Sequence, residues 1–373
     1  MEQVKLICVK GGENNNKYYN MIKNGDNTFT AVYGRVNVSE VRHTYPMYLW
    51  EKKYAEKLKK GYNDVTNLSI SASINGATIN EENPEVDSFI KKMFLYTRDL
   101  IDKTYVNDTA TPQQIEEAQS LINEIMKLDN DRMINSILEK LYVTIPRKMK
   151  KVKDCLLPNI DIVKHLQNEQ DNIDALRSNI IIDTNKQSFL ETINAKIDIN
   201  SNDLEFKYIT KQISENRINF KKIFNVDKHK DSLEFNDFLS SSKNKQTRYL
   251  IHGTRPSSVI PILKDKLRIR PSGNFQFSGK AYGDGNYFSE VVKKSMNYVG
   301  YEKDKILLIY EVHVGNPFVY NGWYTGNSFT LNYENLKKRG YDSTYVKAGN
   351  GLLNSEIISY NENQCRIKNI IWL

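Results

Sequence analysis

GKAYGDGNYFSEVVKKSMNY, residues Gly279–Tyr298, is the stretch whose reading decides the rest of this chain. Three glycines fall within seven residues, Gly279, Gly283 and Gly285, and an extended aromatic run follows, Asn286-Tyr287-Phe288. Glycine lets a backbone approach a ligand closely. Ser289 stands where it can cap a helix whose inner face carries Val291, Ser295 and Tyr298, spaced i, i+4, i+7. Strand and helix would then turn Tyr287, Ser295 and Tyr298 towards one place, where two rings and a hydroxyl can hold a flat, amide-bearing ring. The same residues also fit a glycine-rich turn beside a packed aromatic core. They do not form a dinucleotide-binding glycine loop, because no third glycine follows at the required spacing.

Two further stretches weigh between those readings. Upstream, Arg248-Tyr-Leu-Ile-His252-Gly253-Thr254-Arg255 is a short apolar strand that ends in a histidine, a glycine and a hydroxyl. Downstream, Gly351-Leu-Leu-Asn-Ser-Glu356-Ile-Ile-Ser-Tyr360 carries one carboxylate into an apolar strand, a costly place for a charge without a partner. Together YLIHGTR, GDGNYFSEVVKKSMNY and LLNSEIISY resemble the catalytic domain of the poly(ADP-ribose) polymerase family, in the family's order and at roughly its spacing. Three separated motifs in order are specific where any one alone is weak.

The resemblance implies an α+β ADP-ribosyltransferase fold with two packed antiparallel sheets, and NAD+ as co-substrate without a metal. It implies a catalytic triad of His252, Tyr287 and Glu356. Cleaving the bond between nicotinamide and ribose builds oxocarbenium character on the sugar, as in glycosidases. Glu356 would stabilise that charge through the 2″-hydroxyl and polarise the incoming hydroxyl. The alternative for Glu356 is a structural carboxylate paired with a lysine. His252 would bond ribose hydroxyls, and Gly253 and Ser295 would pair the carboxamide, with Thr254 beside them. Tyr287 and Tyr298 would stack on the nicotinamide ring, whose cationic form in NAD+ favours ground-state binding. Arg268 matches a position near the adenosine; its alternative is a surface arginine. Asn354-Ser355 before Glu356, Lys280 after Gly279, and a short segment between Val314 and Glu356 depart from the family pattern. These departures leave polymer length and acceptor choice open.

The chain has 373 residues, 39% hydrophobic and 26% charged, with a formal charge of +8. That suits two or three globular domains and permits a polyanionic partner without establishing one. No apolar run is long enough for a membrane span, and Met1–Lys17 lacks the apolar core of a secretion signal. Cys8, Cys155 and Cys365 lie far apart, which argues against a zinc site and a disulfide framework and for a reducing compartment. The expected location is nuclear in a eukaryote and otherwise cytoplasmic, not secreted, with no membrane partner.

Residues 1–82 read as mostly β. Gln3–Val9, Lys17–Lys23 and Thr28–Val36 are strand-like, with Asn24-Gly25-Asp26-Asn27 as a hairpin turn, and a helix runs from Met47 to Lys60. Tyr33-Gly34-Arg35-Val36, then a helix ending KKGYNDVT, resembles the WGR domain of the same family. That implies binding of DNA with strand breaks at 5′-phosphorylated ends, through Tyr33, Arg35, Lys52 and Lys53. Lys52, Lys53, Lys57, Lys59 and Lys60 crowd one helix, yet Glu51 and Glu56 interleave with them, so a solvated face also fits.

Leu68–Glu82 reads as a linker. Residues 83–200 read as an all-α bundle. Pro84 opens a helix with Val86, Phe89, Ile90, Met93, Phe94, Leu100 and Ile101 on one stripe, and Thr111-Pro112-Gln113-Gln114 is a capping box. Met133–Leu141 and Ile160–Ile181 supply two more helices, and the basic run Arg147–Lys153 reads as a solvated loop. This segment resembles the family's helical regulatory domain. Residues 201–373 read as the catalytic domain, with strands at Phe206–Lys211, Thr247–His252, Ile306–Val314, Glu356–Tyr360 and Lys368–Trp372.

The sequence thus points to an α+β multidomain transferase, activated by DNA breaks, that attaches and elongates poly(ADP-ribose) on acceptor proteins, itself included, and releases nicotinamide. Two rivals stay open: a mono-ADP-ribosyltransferase of the same fold, and an inert DNA-end-binding module.

Overall fold

A computed structural model describes residues 3–11, 15–36, 39–66, 81–105, 110–149, 151–179, 188–199, 207–270, 273–275, 281–321, 331–349 and 352–373. The sequence features at Gly279, Lys280 and Gly351, and most of the expected linker, lie outside these residues. The chain forms two compact units. One gathers Met1–Asn75, Arg98–Ile180 and Ser272–Phe275; the other gathers Gly76–Thr97, Ile181–Pro271 and Gln276–Leu373.

In the first unit β1 (Gln3–Lys10), β2 (Asn15–Lys23), β3 (Thr28–Arg35), β4 (Val41–Pro46) and β5 (Asn63–Asp64) make an antiparallel sheet of order β4-β3-β2-β1-β5. Gly25 and Asn27 turn the β2–β3 hairpin with φ of +87° and +60°. Helix α1 (Trp50–Lys59) lays Trp50 and Tyr54 against a core of Leu6, Tyr19, Met21, Phe29 and Ala31. Strand β4 was invisible in the sequence because most of its residues are exposed and polar.

Helix α2 (Pro84–Thr104) begins where expected, with the Asn83 side chain accepting from the Glu85 and Val86 amides. Its second half lies in the first unit with α3 (Pro112–Ile125), α4 (Asp131–Thr144) and α5 (Ile162–Asn179). The Thr111–Gln114 capping box closes in both directions, and Ile115, Ala118, Leu121, Ile122 and Ile125 are all buried. One residue of the basic run departs from expectation, while Lys148, Lys151 and Lys153 are exposed. Arg147 is buried, not solvated, and its Nε donates to Glu169 Oε1 at 2.9 Å. The partner carboxylate lies 22 residues downstream on α5, which no local pattern signals.

Beside that pair, the His165 Nε2–H donates to the Tyr142 hydroxyl (2.8 Å), and Tyr142 donates to the Cys155 carbonyl (2.7 Å). Burial, and then the Arg147 charge, lower His165 from 6.5 to about 4. The unfolded chain takes up a proton as pH falls through 6.5, whereas the folded chain refuses it until about 4. Stability is therefore complete above that window and drops by about 3 kcal/mol across it. Amide exchange in α4, corrected for intrinsic rates, should show weaker protection at pH 5 than at pH 7. His165→Asn should remove the difference; a difference that persists would place the acid sensitivity elsewhere.

In the second unit α6 (Phe189–Thr192) leads into β6 (Ala195–Ile199), and α7 (Lys207–Glu215) into β7 (Lys222–Lys228). Then come α8 (His229–Ser241), β8 (Thr247–Thr254), α9 (Val259–Asp265), β9 (Asn286–Phe288) and α10 (Val292–Ser295). The rest is β10 (Ile306–His313), β11 (Pro317–Asn321), α11 (Tyr333–Lys338), β12 (Ser343–Lys347), β13 (Glu356–Ser359) and β14 (Cys365–Trp372). A five-stranded antiparallel sheet runs β6-β7-β14-β10-β8, and a four-stranded sheet runs β11-β12-β13-β9 with one parallel pair, β11 and β12. Phe288 and Ile357 of the second sheet join Phe224, Leu250, Leu308 and Ile370 of the first in one core. The first half of α2 adds Val86, Phe89, Ile90 and Met93 to that core, with Phe89 packed on Phe224 and Trp372. Asp304 anchors it further, accepting from Tyr96 (2.5 Å), Lys221 (2.6 Å) and Trp372 (2.9 Å). Burial favours the protonated acid, yet these donors hold Asp304 at about 2.

Of the expected strand Phe206–Lys211, Phe206 lies outside the described residues and the rest belongs to helix α7. Lys207-Tyr208-Ile209-Thr210 alternates like a strand, but Ile209 and Ile213 are four apart and both fully buried against Ile251 and Val292. Packing of that helical face overrides the local pattern.

Candidate active site

β8, the end strand of the five-stranded sheet, carries His252 and Gly253. Ile251 and Ser289 form a two-way bridge, N to O at 2.9 and 3.0 Å, so the end of β8 is tied to the residue after β9. β9 in turn pairs with β13, Tyr287 opposite Ile358 and Phe288 opposite Ile357. This register brings His252, Tyr287 and Glu356, far apart in sequence, onto adjoining strands.

The His252 Nδ1–H donates to the Tyr287 carbonyl at 3.0 Å. Burial lowers the pKa of the imidazole, the Tyr287 carbonyl opposes that effect, and Arg270 adds to it. The ring is therefore neutral at pH 7 and its Nε2 is the acceptor nitrogen, suited to a sugar hydroxyl. The Tyr287 ring is fixed by its own hydroxyl, which donates to the Gly283 carbonyl (2.8 Å) and accepts from the Tyr282 amide (2.9 Å). Gly283 has φ +87°, and a Cβ there would lie 2.0 Å from the Leu331 carbonyl oxygen, so only glycine makes this turn. Burial first, then neighbouring Tyr360, push the Tyr287 phenol above its ordinary value, so it stays protonated.

The helix that carries Ser295 starts later than the sequence suggested. Ser289 is still held in the bridge, its hydroxyl accepts the Val291 amide (3.0 Å), and Val291 remains extended. The buried residues of α10 are consequently Val292 and Ser295, not Val291. Ser295 Oγ donates to the Ile251 carbonyl at 3.3 Å. Its own carbonyl oxygen presses on Gly253, where a Cβ would lie only 1.9 Å away. Ser295 and Gly253 are thus in direct contact, with Thr254 buried next in the strand. Tyr298 closes the turn that follows and is half exposed.

Glu356 opens β13 and is only 8% exposed. Its Oε1 accepts from Lys294 Nζ at 2.8 Å. Burial would lower the Lys294 pKa, but the hydrogen bond and charge of Glu356, joined by the Tyr298 hydroxyl, raise it instead. A raised lysine pKa keeps the pair intact below the ordinary value of 10.5 and through neutral pH, and the pair is lost only as pH climbs past the folded value. Glu356 is therefore a lysine-paired carboxylate whose charge is also felt at Tyr287. Lys294 escaped the sequence reading, because Lys293 and Lys294 are indistinguishable until the start of α10 is known. Lys293 is exposed, and Lys294 turns inward.

Arg268 does not join this cluster. It stands exposed after α9, and among the described residues no hydrogen bond or ion pair ties it to the cluster.

A family model, the poly(ADP-ribose) polymerase catalytic domain, matches residues 203–373. Invertebrate iridescent virus 6 has a putative poly [ADP-ribose] polymerase-like protein, 100L, that is 59% identical over 168 residues, 45% of this chain and 92% of that protein. The chain belongs to the poly(ADP-ribose) polymerase family. It is an NAD+ ADP-ribosyltransferase, and NAD+ is its co-substrate. An uncharacterized protein of the same virus, 101L, is 45% identical over 181 residues, 47% of this chain and 76% of that protein. Poly [ADP-ribose] polymerase 1 of Gallus gallus is 25% identical over 232 residues, 55% of this chain but only 22% of the longer relative. No helix among the described residues is long and apolar enough to cross a membrane.

The residues suggested for DNA contact stand on the first unit's sheet and on α1. Tyr33 is half buried, and one face is taken up by Tyr19, at a centroid distance of 5.3 Å. Arg35 ends β3. Lys52 is exposed, whereas Lys53 lies over Tyr45 at 4.8 Å and near Glu56 at 3.8 Å. Lys57 is drawn in over Tyr19 at 3.9 Å, and burial, then repulsion from Lys60 and Lys53, lower its pKa.

Proposed function

We propose that this chain is a DNA-break-activated ADP-ribosyltransferase that attaches poly(ADP-ribose) to proteins, itself included, elongates it, and releases nicotinamide. The observation that carries the reading is the Lys294–Glu356 pair (2.8 Å), with Glu356 on β13, the strand paired with β9, whose Tyr287 carbonyl accepts from His252 (3.0 Å). Glu356 is the catalytic carboxylate: charged and held in place, it accepts the 2″-hydroxyl as the bond from ribose C1″ to nicotinamide breaks. The departing pair of electrons stays on the pyridine nitrogen, and the ribose takes up positive charge. An acceptor oxygen, polarised by Glu356, then bonds to C1″ and releases its proton to solvent. His252 Nε2 accepts from a ribose hydroxyl. Gly253 and Ser295 pair the carboxamide, while Tyr287 and Tyr298 flank the ring. Arg268 is assigned to the adenosine side.

In this reading residues 1–82 are a WGR-like domain that meets DNA through Tyr33, Arg35, Lys52 and Lys53. Residues 83–200 are a helical regulatory domain and 201–373 the catalytic domain. The exposed lysines of α1 support a phosphate contact. The helical domain acts as a two-state gate that blocks NAD+ when closed and admits it when loosened, and DNA activates only if it favours the open state; a coupling of about 1–3 kcal/mol gives roughly five- to 150-fold stimulation.

Incubating the full chain with labelled NAD+, with and without nicked DNA, tests the reading. A DNA-dependent ladder is expected. A single band would make it a mono-transferase, and no product an inert binder. Arg35→Ala should weaken binding to 5′-phosphorylated breaks and reduce the salt slope by about one. Equal affinity of mutant and wild type at matched salt would remove the DNA-end assignment.

A further inference from the structure

Helix α10 is four residues long and runs directly into a three-residue turn of tighter helix, Met296–Tyr298. A helix that short has no stability of its own in water. Its N-cap is Val291, whose side chain cannot accept the free amides of the first turn. Yet this fragile element carries Lys294, Ser295 and Tyr298. Something outside it must fix its place.

That something is Gln212 on α7. Its Nε2 donates to the Glu290 carbonyl at 2.8 Å, and its Oε1 accepts the Val292 amide at 2.9 Å. One side-chain amide thus closes on two alternate residues of the backbone, as a neighbouring strand would, and supplies the missing cap from another element. α7 is a firm base for it. Ile209 and Ile213 are fully buried with Ile251 and Val292, and the Tyr208 hydroxyl donates to the Tyr249 carbonyl. Arg248 also reaches Glu290, at 3.0 Å, but both side chains are more than a third exposed, so that tie is screened.

We propose that Gln212 is a positioning residue for the transferase site. By capping α10 from α7 it sets where Lys294, Ser295 and Tyr298 stand, and through them how tightly the nicotinamide end of the substrate is held. This rests on the reading of Ser295 as a carboxamide contact. Gln212 touches neither substrate nor reacting atoms in this scheme; it acts through the segment it holds.

The test uses the full chain, with nicotinamide itself as the probe. Gln212→Met keeps the length of the side chain and removes both hydrogen bonds. It should weaken nicotinamide inhibition about tenfold, equivalent to about 1.4 kcal/mol, and raise KM for NAD+ by a similar factor, with kcat changed less. A merely structural role would lower the amount of active enzyme, and so kcat, and leave both constants alone. Gln212→Glu keeps the acceptor for Val292 but sets a carboxylate against the Glu290 carbonyl. Its constants should lie between those of wild type and Gln212→Met, and move towards wild type as acid protonates the new carboxyl. If Gln212→Met does not fold, Gln212→Glu decides alone. Wild-type nicotinamide affinity in whichever Gln212 variants fold, while Ser295→Ala loses it, overturns the proposal. An unchanged affinity in Ser295→Ala instead removes the nicotinamide reading on which the proposal stands.

Discussion

Glu356→Gln is expected to slow ADP-ribose transfer about ten- to 150-fold, because a charge-assisted hydrogen bond is worth roughly 1.5–3 kcal/mol and this one strengthens as the sugar becomes cationic. The substitution keeps the side chain's shape, and its amide oxygen can still accept from Lys294, which lies 2.8 Å from Oε1. The site should therefore keep its geometry and its affinity for NAD+, and lose the negative charge alone. Chain extension should suffer most, since there the carboxylate also polarises the incoming hydroxyl. Single-turnover rates, KM for NAD+ and product length on gels separate these effects. Unaltered rate and polymer length would reduce Glu356 to a structural partner of Lys294, the alternative that the sequence left open.

The residues of this site were legible because each lies in a short segment with its own backbone requirement. YLIH is a strand by composition, and a glycine follows it because the Ser295 carbonyl leaves no room for a Cβ at Gly253. What the sequence could not convey is what those segments rest on. Lys294 and Gln212 reach their partners across 62 and 80 residues respectively. Neither side chain carries a periodic signal. The helix α7 was read as a strand for the same reason: a short amphipathic run shows its period only when the surface it covers is known. The capping box at Thr111 and the asparagine cap at Asn83, by contrast, satisfy donors three residues away or fewer, so local sequence determines them fully. Local hydrogen bonding was readable; long-range pairing of polar groups was not.

The buried pair of Arg147 and Glu169 is the sharpest case of that difference, and it carries the largest expected effect on stability. Glu169→Ala should cost the helical part of the first unit about 3–5 kcal/mol, because it leaves a charged guanidinium out of water without its counter-ion. What would remain to Arg147 is the Ile145 carbonyl at 2.6 Å and the faces of Tyr105 and Tyr142, about 5 Å from the guanidinium carbon. Those rings and one carbonyl cannot replace a carboxylate that meets the guanidinium through two nitrogens. A double replacement, Arg147→Met with Glu169→Leu, should recover most of the loss, since the desolvation cost disappears with both charges. Amide exchange within α4 and α5 reads the local change without assuming that the whole chain unfolds as one. If the helical domain is the gate proposed above, the single variant should also raise transfer activity in the absence of DNA, and the double variant should restore the dependence. Loss of protection without any rise in DNA-free activity would leave the ion pair as a stabilising element and remove the gate. Unchanged protection in Glu169→Ala would mean that Arg147 finds water in the folded state and was never dependent on its partner.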